Sequence, residues 1–370
     1  MPKKFQWIDS FRGIAALVVV IFHYHHFYLS DNRKRGEIPS VETFPFAQIL
    51  EPVYIYGHWA VELFWAISGF VFYHVYLKRK AGILEFVSFR VARLYPLHVA
   101  TLVFVALLQY VSMQTVGHWQ VYGNNDSFHF VLQLLLATNW SSVSHGLSYN
   151  GPIWSVSLEV AAYAMFFISL TAIRHSPILI SVALVFATWI LAAGYPSGTF
   201  YLSASIFQCA CYFFCGGLTY CLSAITYNRP ARFDGLSVTL LILLALIAVI
   251  NIEGIAGYLA CMGIVYFAAL LEKHFKHCPK SLLQLGDLSF SVYLVHVPLQ
   301  ITLLLIMDLA FNGDRSFANS IFTLPIYITV TILAASATYK YYELPARKLV
   351  RNAFDKFSFP LLNASDSKQS

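Results

Sequence analysis

Long apolar runs alternate with short polar stretches along almost the whole chain. A membrane-crossing helix needs about 20 predominantly apolar residues. The pattern predicts an all-α, polytopic membrane protein with ten spans, near 8–29, 58–77, 96–113, 152–173, 176–194, 199–222, 236–253, 254–271, 285–307 and 319–340. The apolar stretch 128–140 is short for a crossing and indicates a re-entrant or interfacial helix. Counting it as a span gives an alternative arrangement with eleven.

Lysine and arginine residues collect on one side of this predicted arrangement. With ten spans, the basic clusters fall on the side of the N-terminus, at 3–4, 78–80 with Arg90 and Arg93, Arg174, 229–232, 273–280 and 347–351. Cytoplasmic loops of membrane proteins carry an excess of these residues, so we expect both termini in the cytoplasm. The basic stretch 31–35 falls in the first loop on the opposite side and departs from the rule.

Composition narrows the class of protein. Hydrophobic residues make up 58% of the 370 residues and charged residues 11%, and the mean hydropathy is +0.63. These values exclude a soluble enzyme, a disordered chain and a disulfide-stapled secreted domain. The net charge of +6 reflects lysines and arginines in cytoplasmic loops rather than nucleic-acid binding. The six cysteines lack zinc or C-x-x-C spacing, so we expect no metal. We divide the chain into a membrane domain, 1–351, and a polar, disordered tail, 352–370.

Ionisable residues inside the apolar runs are candidates for a functional site, because a charge at the bilayer centre costs about 2.5–3.5 kcal/mol. Arg12 and His23 are eleven residues apart in the first predicted span, which places them on one helix face about 16 Å apart. An arginine near the cytoplasmic interface and a deeper histidine suit an anionic cofactor and a general base. Alternatively, Arg12 reaches the interface and His23 is a satisfied interior residue.

Other polar residues, inside the runs or at their edges, allow both functional and structural interpretations. Ser155 and Glu159 share a helix face at spacing i,i+4, where the glutamate can orient a histidine, bind a substrate hydroxyl or only hydrogen-bond between helices. Arg90 and Arg93 lie one turn apart and match either phosphate groups or lipid headgroups. His296 comes two residues before a helix-kinking proline, which favours a structural role.

Six motifs, taken in this order, resemble the acyltransferase-3 family of integral membrane acyltransferases. They are IDSFRGIAA at 8–16 followed by Phe22 and His23, and the segments 62–70, 90–96, 154–159, 288–298 and 342–345. The departures are mild: Glu62 stands where Asp is usual, Trp65 where Phe is usual, and Val295 where an aromatic residue is frequent. The chain resembles the stand-alone branch, without the fused SGNH-type domain of other members.

The resemblance implies transfer of an acyl group, usually acetyl, from cytoplasmic acyl-CoA to a hydroxyl of a carbohydrate. Surface polysaccharide, lipid-linked sugar and oligosaccharide all remain open as acceptors, and the family implies the bacterial inner membrane, among membrane lipids. It also implies that His23 is catalytic, as general base or as acyl-carrying nucleophile. A multi-span transporter or proton-coupled carrier is the alternative, although the inverted repeats that such a protein predicts are not visible in the sequence.

Our hypothesis for the site assigns roles to nine residues. Arg12, Arg90 and Arg93 bind the phosphates of the acyl-CoA co-substrate. His23 carries the chemistry and Glu159 orients either His23 or the acceptor. The remaining four are expected to contact substrate: Ser68, Trp154, Ser155 and His296.

Overall fold

The computed structural model describes residues 1–2, 4–29, 38–79, 82–141, 146–194, 203–227, 229–230, 255–275 and 277–366. Its regular elements are helical, which confirms the predicted all-α class. In chain order, the α-helices of the described ranges, α1 to α12, are Gln6–Phe22, Ala47–Tyr56, Trp59–Tyr76, Ile83–Thr115, Ser127–Leu134, Ile153–His175, Pro177–Gly194, Ala204–Thr226, Ile255–His274, Lys280–Ala310, Thr323–Thr338 and Leu344–Asp366.

Within those ranges, seven helices are long and apolar enough to cross a membrane. They are α1 with its continuation to Tyr28, α4, α6, α7, α8, α9 and α10. The helices α2 and α3 meet at a bend of 62°, and together they form an eighth candidate span. The polytopic architecture is therefore confirmed. The predicted span 236–253 lies outside the described residues.

Two predicted segments differ in length from a full crossing. The run 319–340 contains α11, which has 16 residues and continues through a π-helical turn, Tyr339–Glu343, into α12. The helical backbone of α12 extends to Asp366, into the stretch 352–370 for which the sequence predicts a tail. The stretch 128–140 contains α5, whose eight residues are too short to span the bilayer.

The segment around α5 is held by polar groups rather than by apolar packing alone. Asp126 caps α5 by accepting a hydrogen bond from the backbone N–H of His129 at 2.9 Å. This bond, with a second from the His129 ring, holds the pKa of the Asp126 carboxyl below its ordinary value. The buried amide of Asn150 donates to the Leu294 carbonyl at 3.0 Å and so ties the same segment to α10.

Small residues allow the central helices to approach each other closely. A Cβ added at Gly69 of α3 would lie 1.7 Å from the Phe213 carbonyl oxygen, and one added at Gly216 of α8 would lie 1.8 Å from the Ala66 oxygen. Helix interfaces in membranes favour such residues because they let the backbones touch. Gly69 therefore has a packing role between α3 and α8.

Helices α1 and α10 are in similar close contact. A Cβ at Gly13 would lie 2.6 Å from the Leu285 backbone, and one at Gly286 would lie 2.5 Å from the Asp9 oxygen. Ten residues further along each helix, His23 and His296 meet side chain to side chain. Because the two contacts are ten residues apart on both helices, α1 and α10 run parallel between them.

Candidate functional site

A narrow cavity of about 50 Å³ lies among α1, α3, α4, α6 and α10. We call it the arginine cavity. Six of the nine residues predicted from the sequence line it: Arg12, Ser68, Arg90, Arg93, Ser155 and Glu159. The fold thus brings together side chains from four separate sequence motifs, and Tyr163, Ser289 and Tyr293 complete the polar part of the wall.

The arginines of this cavity are partly buried, beside aromatic rings and other charges. The guanidinium of Arg90 lies 4.6 Å from the centre of the Phe72 ring and 5.6 Å from that of Tyr163. Arg12 lies 3.9 Å from the carboxylate of Asp9, on its own helix. Among the described residues, the buried Nε atoms of Arg12 and Arg90 have no hydrogen-bond partner. The cavity therefore contains N–H groups of positively charged side chains that are available to hydrogen-bond a ligand.

One wall of the arginine cavity is built around Tyr293 of α10. Its hydroxyl lies 2.7 Å from the Ser155 hydroxyl and donates to the Pro152 carbonyl at 3.1 Å. Trp154, predicted to contact substrate, lies outside the lining and packs edge-on against Trp65, with ring centres 5.8 Å apart. Trp154 therefore supports the wall from behind.

His23 lies where the first membrane helix changes geometry. The helix α1 is α-helical up to Phe22 and continues as a 3₁₀ helix from His23 to Tyr28. The Nδ1 atom of His23 lies 3.0 Å from Nε2 of His296, and the two rings are stacked with centres 5.0 Å apart. His296, predicted to contact substrate, is fully buried and contacts His23.

Tyr293 connects the histidine pair to the arginine cavity. Its side chain lines that cavity, and its backbone carbonyl accepts a hydrogen bond from His296 Nδ1 at 2.8 Å. One residue of α10 therefore touches both parts of the site. Glu159, expected beside either His23 or the acceptor, shares the cavity with the arginines.

Gln300 is a site residue that the sequence interpretation missed. Its amide nitrogen donates to the His23 carbonyl at 2.8 Å, and its amide oxygen lies 2.9 Å from His26 Nδ1. The His26 ring in turn stacks on His23, with centres 4.9 Å apart. The available signal was the i,i+4 spacing from His296, which places both side chains on one face of α10.

A second, larger cavity of about 430 Å³ lies beside the histidines. We call it the loop cavity, because the segments 121–124 and 146–147 form much of its lining. His25 and His26 line it from the 3₁₀ segment, with Tyr122 and Asn124 among the facing residues. The lining mixes polar and apolar groups, and it lies at the end of the first span that is remote from Arg12.

The family model for the acyltransferase domain, Acyl_transf_3, matches residues 5–340, and this range contains every residue of the two cavities and the histidine pair. The chain belongs to the acyltransferase-3 family. A relative in Rhizobium radiobacter, "Protein 2 in picA locus", is 28% identical over 179 residues, which cover 45% of this chain and 82% of the relative. No solved structure matches the chain.

Membership of the acyltransferase-3 family confirms the resemblance carried by the six motifs, and it supports an acyltransferase embedded in a membrane. In this member, the arginine and histidine of the N-terminal motif serve different parts of the site. Arg12 lines the arginine cavity, whereas His23 lies beside His296 and His26. The site of this acyltransferase-3 protein is therefore elongated along α1.

Proposed function

We propose that this protein transfers an acyl group, acetyl in the first instance, from cytoplasmic acyl-CoA to a hydroxyl of a carbohydrate acceptor, in the bacterial inner membrane. The observation that carries the proposal is the connection through Tyr293 between a cavity rich in arginine and a histidine pair. Such a site combines an anion-binding region with an imidazole, a side chain that acts in enzymes as general base or nucleophile.

The arginine cavity supports binding of the donor phosphates. Three guanidinium groups and one carboxylate, that of Glu159, line the cavity. Arg12 also lies 3.9 Å from Asp9, but its Nε atom and that of Arg90 are unused within the described residues. An excess of partly buried positive charge is costly, and guanidinium forks match phosphate oxygens. A phosphate group of acyl-CoA would supply the missing negative charge, and the neutral pantetheine arm would extend along α1 towards His23.

His23 would carry the transfer chemistry. As general base, it takes the proton of the acceptor hydroxyl while that oxygen attacks the thioester carbonyl. The carbon–sulfur bond then breaks, and the CoA thiolate leaves and receives the proton from His23. In the nucleophilic route, His23 first displaces CoA, carries the acyl group and then passes it to the hydroxyl.

The loop cavity is the proposed acceptor site. Its volume of about 430 Å³ lies in the range of small-molecule sites. Tyr122, Asn124 and the histidines offer the mixture of an aromatic surface and hydrogen-bonding groups that suits a sugar. Donor and acceptor would therefore approach His23 from opposite directions along the first span.

The test uses purified protein in sealed vesicles with radiolabelled acetyl-CoA, comparing wild type with His23→Ala. We expect His23→Ala to abolish CoA release and to leave CoA binding, measured by calorimetry, nearly unchanged. The exposed His175→Gln is the matched control and should behave as wild type. Label retained on the wild-type protein would favour the nucleophilic route.

Two outcomes would contradict the proposal. CoA release that survives in His23→Ala would remove His23 from the chemistry. Absence of CoA turnover with every acyl-CoA and glycan acceptor tested would instead favour a transporter, which predicts substrate flux without CoA consumption.

A further inference from the structure

The hydrogen bonds of the histidine pair determine which ring nitrogen carries each proton. The Tyr293 carbonyl can only accept, so His296 Nδ1, at 2.8 Å from it, must carry a hydrogen. In the neutral imidazole, the other nitrogen is then an acceptor. His296 Nε2 faces His23 Nδ1 at 3.0 Å, so His23 Nδ1 must be the donor. This leaves the lone pair of His23 on Nε2.

The surroundings favour the neutral form of His296. It is fully buried, and the titratable groups that face His23 are its neighbours His25 and His26 together with His296 itself. These are all imidazoles, so a proton added to one is repelled by a charge on any other.

Gln300 fixes the backbone on which this arrangement depends. Its amide group bridges the His23 carbonyl and the His26 ring, at 2.8 and 2.9 Å. The amide oxygen accepts, so His26 also carries its hydrogen on Nδ1. His296 and Gln300 stand one turn apart on α10, which is in register with α1 as far back as the contact between Gly13 and Gly286. One helix face thus holds both the ring and the backbone of His23.

We infer that His296 and Gln300 are positioning residues that hold His23 as the Nδ1–H tautomer, with Nε2 as its reactive atom. The inference rests on the proposed function of His23 and names the atom through which it acts. In the general-base route, Nε2 takes the proton of the acceptor hydroxyl. In the nucleophilic route, the same atom forms the bond to the acyl carbon.

A pair of substitutions at one position tests the inference in the vesicle assay of CoA release. His296→Leu removes the side-chain acceptor for His23 Nδ1. The Nε2–H tautomer of His23 then becomes more populated, and kcat should fall roughly 10²-fold because Nε2 no longer has a free lone pair in that form. The KM for acetyl-CoA should stay within about twofold, since the arginine cavity is unchanged. His296→Gln returns an amide oxygen near the same place and should recover at least part of the lost kcat.

The matched control is His98→Leu. His98 is also a buried histidine on a membrane helix, hydrogen-bonded through its ring to a carbonyl, that of Gln133 at 2.8 Å. The same loss of a buried ring there should leave kcat at its wild-type value. Equal kcat losses in His296→Leu and His296→Gln, or wild-type kcat in His296→Leu, would overturn the inference.

A spectroscopic measurement separates this inference from the proposed function. Nitrogen-15 spectra of histidine-labelled full-length protein in detergent distinguish the two tautomers, and the signal absent from His23→Gln identifies His23. Wild type should show His23 protonated on Nδ1, and His296→Leu should show a shift towards Nε2–H. An Nε2–H form in wild type would overturn the inference, whatever the CoA assay gives, and the expected form without any CoA turnover would overturn only the proposed function.

Discussion

The guanidinium of Arg90 shows, at the scale of one residue, how the site uses aromatic rings to hold a charge. It lies over Phe72 and beside Tyr163, which stabilise a cation through their ring faces without neutralising it. Its Nε hydrogen is unused among the described residues. The charge and at least one donor therefore remain available to an anionic group in the cavity.

Replacing Arg90 by lysine tests this interpretation while keeping the charge. Lysine lacks the planar fork and the stacking surface of arginine, so Arg90→Lys should raise the KM for acetyl-CoA roughly tenfold, about 1.4 kcal/mol, with kcat near wild type. Steady-state CoA release measures both constants. Arg79→Lys, at a half-exposed arginine paired with Glu85, is the control, and a kcat loss without a KM change would argue against phosphate binding by Arg90.

The sequence reveals some of these residues and hides others for a physical reason. Arg12 and Glu159 stand out because a charge inside an apolar run is costly and needs explaining, and Arg90 stands out by its spacing from Arg93. Tyr293 and Gln300 carry no charge, so they do not stand out in the same way, and the only signal for Gln300 is its i,i+4 spacing from His296. The spacing also says nothing of distances between helices, and only the packing of α6 places Glu159 in the arginine cavity.

At the scale of the element, the first span changes from an α-helix to a 3₁₀ helix, and the α-helical periodicity no longer predicts which residues share a face. Eleven residues make nearly three turns of an α-helix, but the α-helical geometry ends at Phe22. A 3₁₀ helix has three residues per turn, so the residues after His23 follow a different phase. After this change of geometry, His25 and His26 line the loop cavity.

The close crossing of α3 and α8 makes a prediction about folding. Gly69→Ala should destabilise the protein by about 1–3 kcal/mol, because its Cβ would meet the Phe213 backbone at 1.7 Å and the helices must separate. Thermal unfolding of the detergent-purified protein measures the effect as a lowered Tm. Gly82→Ala is the control, since nothing lies within 4 Å of a Cβ there; an equal Tm for both variants would contradict the packing role of Gly69.

The whole molecule has two chemically different ends. The end that carries Lys4, Asp9 and Asp287 has an ion-pair cluster close to Arg12. The other end carries the loop cavity and a buried cluster in which Asp308 pairs with Arg315. Because the basic clusters of the sequence lie at the first end, we expect that end to face the cytoplasm.

Single cysteines test this orientation without removing the native ones, since all six native cysteines are buried. Asn319→Cys should react with an impermeant maleimide added to intact spheroplasts, because it lies in the exposed connection between α10 and α11. Lys348→Cys, exposed on α12, should react only after lysis. Labelling of Lys348→Cys in intact spheroplasts would place the C-terminus outside and reverse the predicted topology.

The small volume of the arginine cavity has an electrical consequence. At about 50 Å³, it has room for only a few water molecules, too few to form a continuous file across the membrane. A bilayer at 100 mV drives each elementary charge with about 2.3 kcal/mol, so a wide hydrated passage lined by histidines would leak protons. At this volume, the arginine cavity does not by itself provide such a passage between the two ends of the protein.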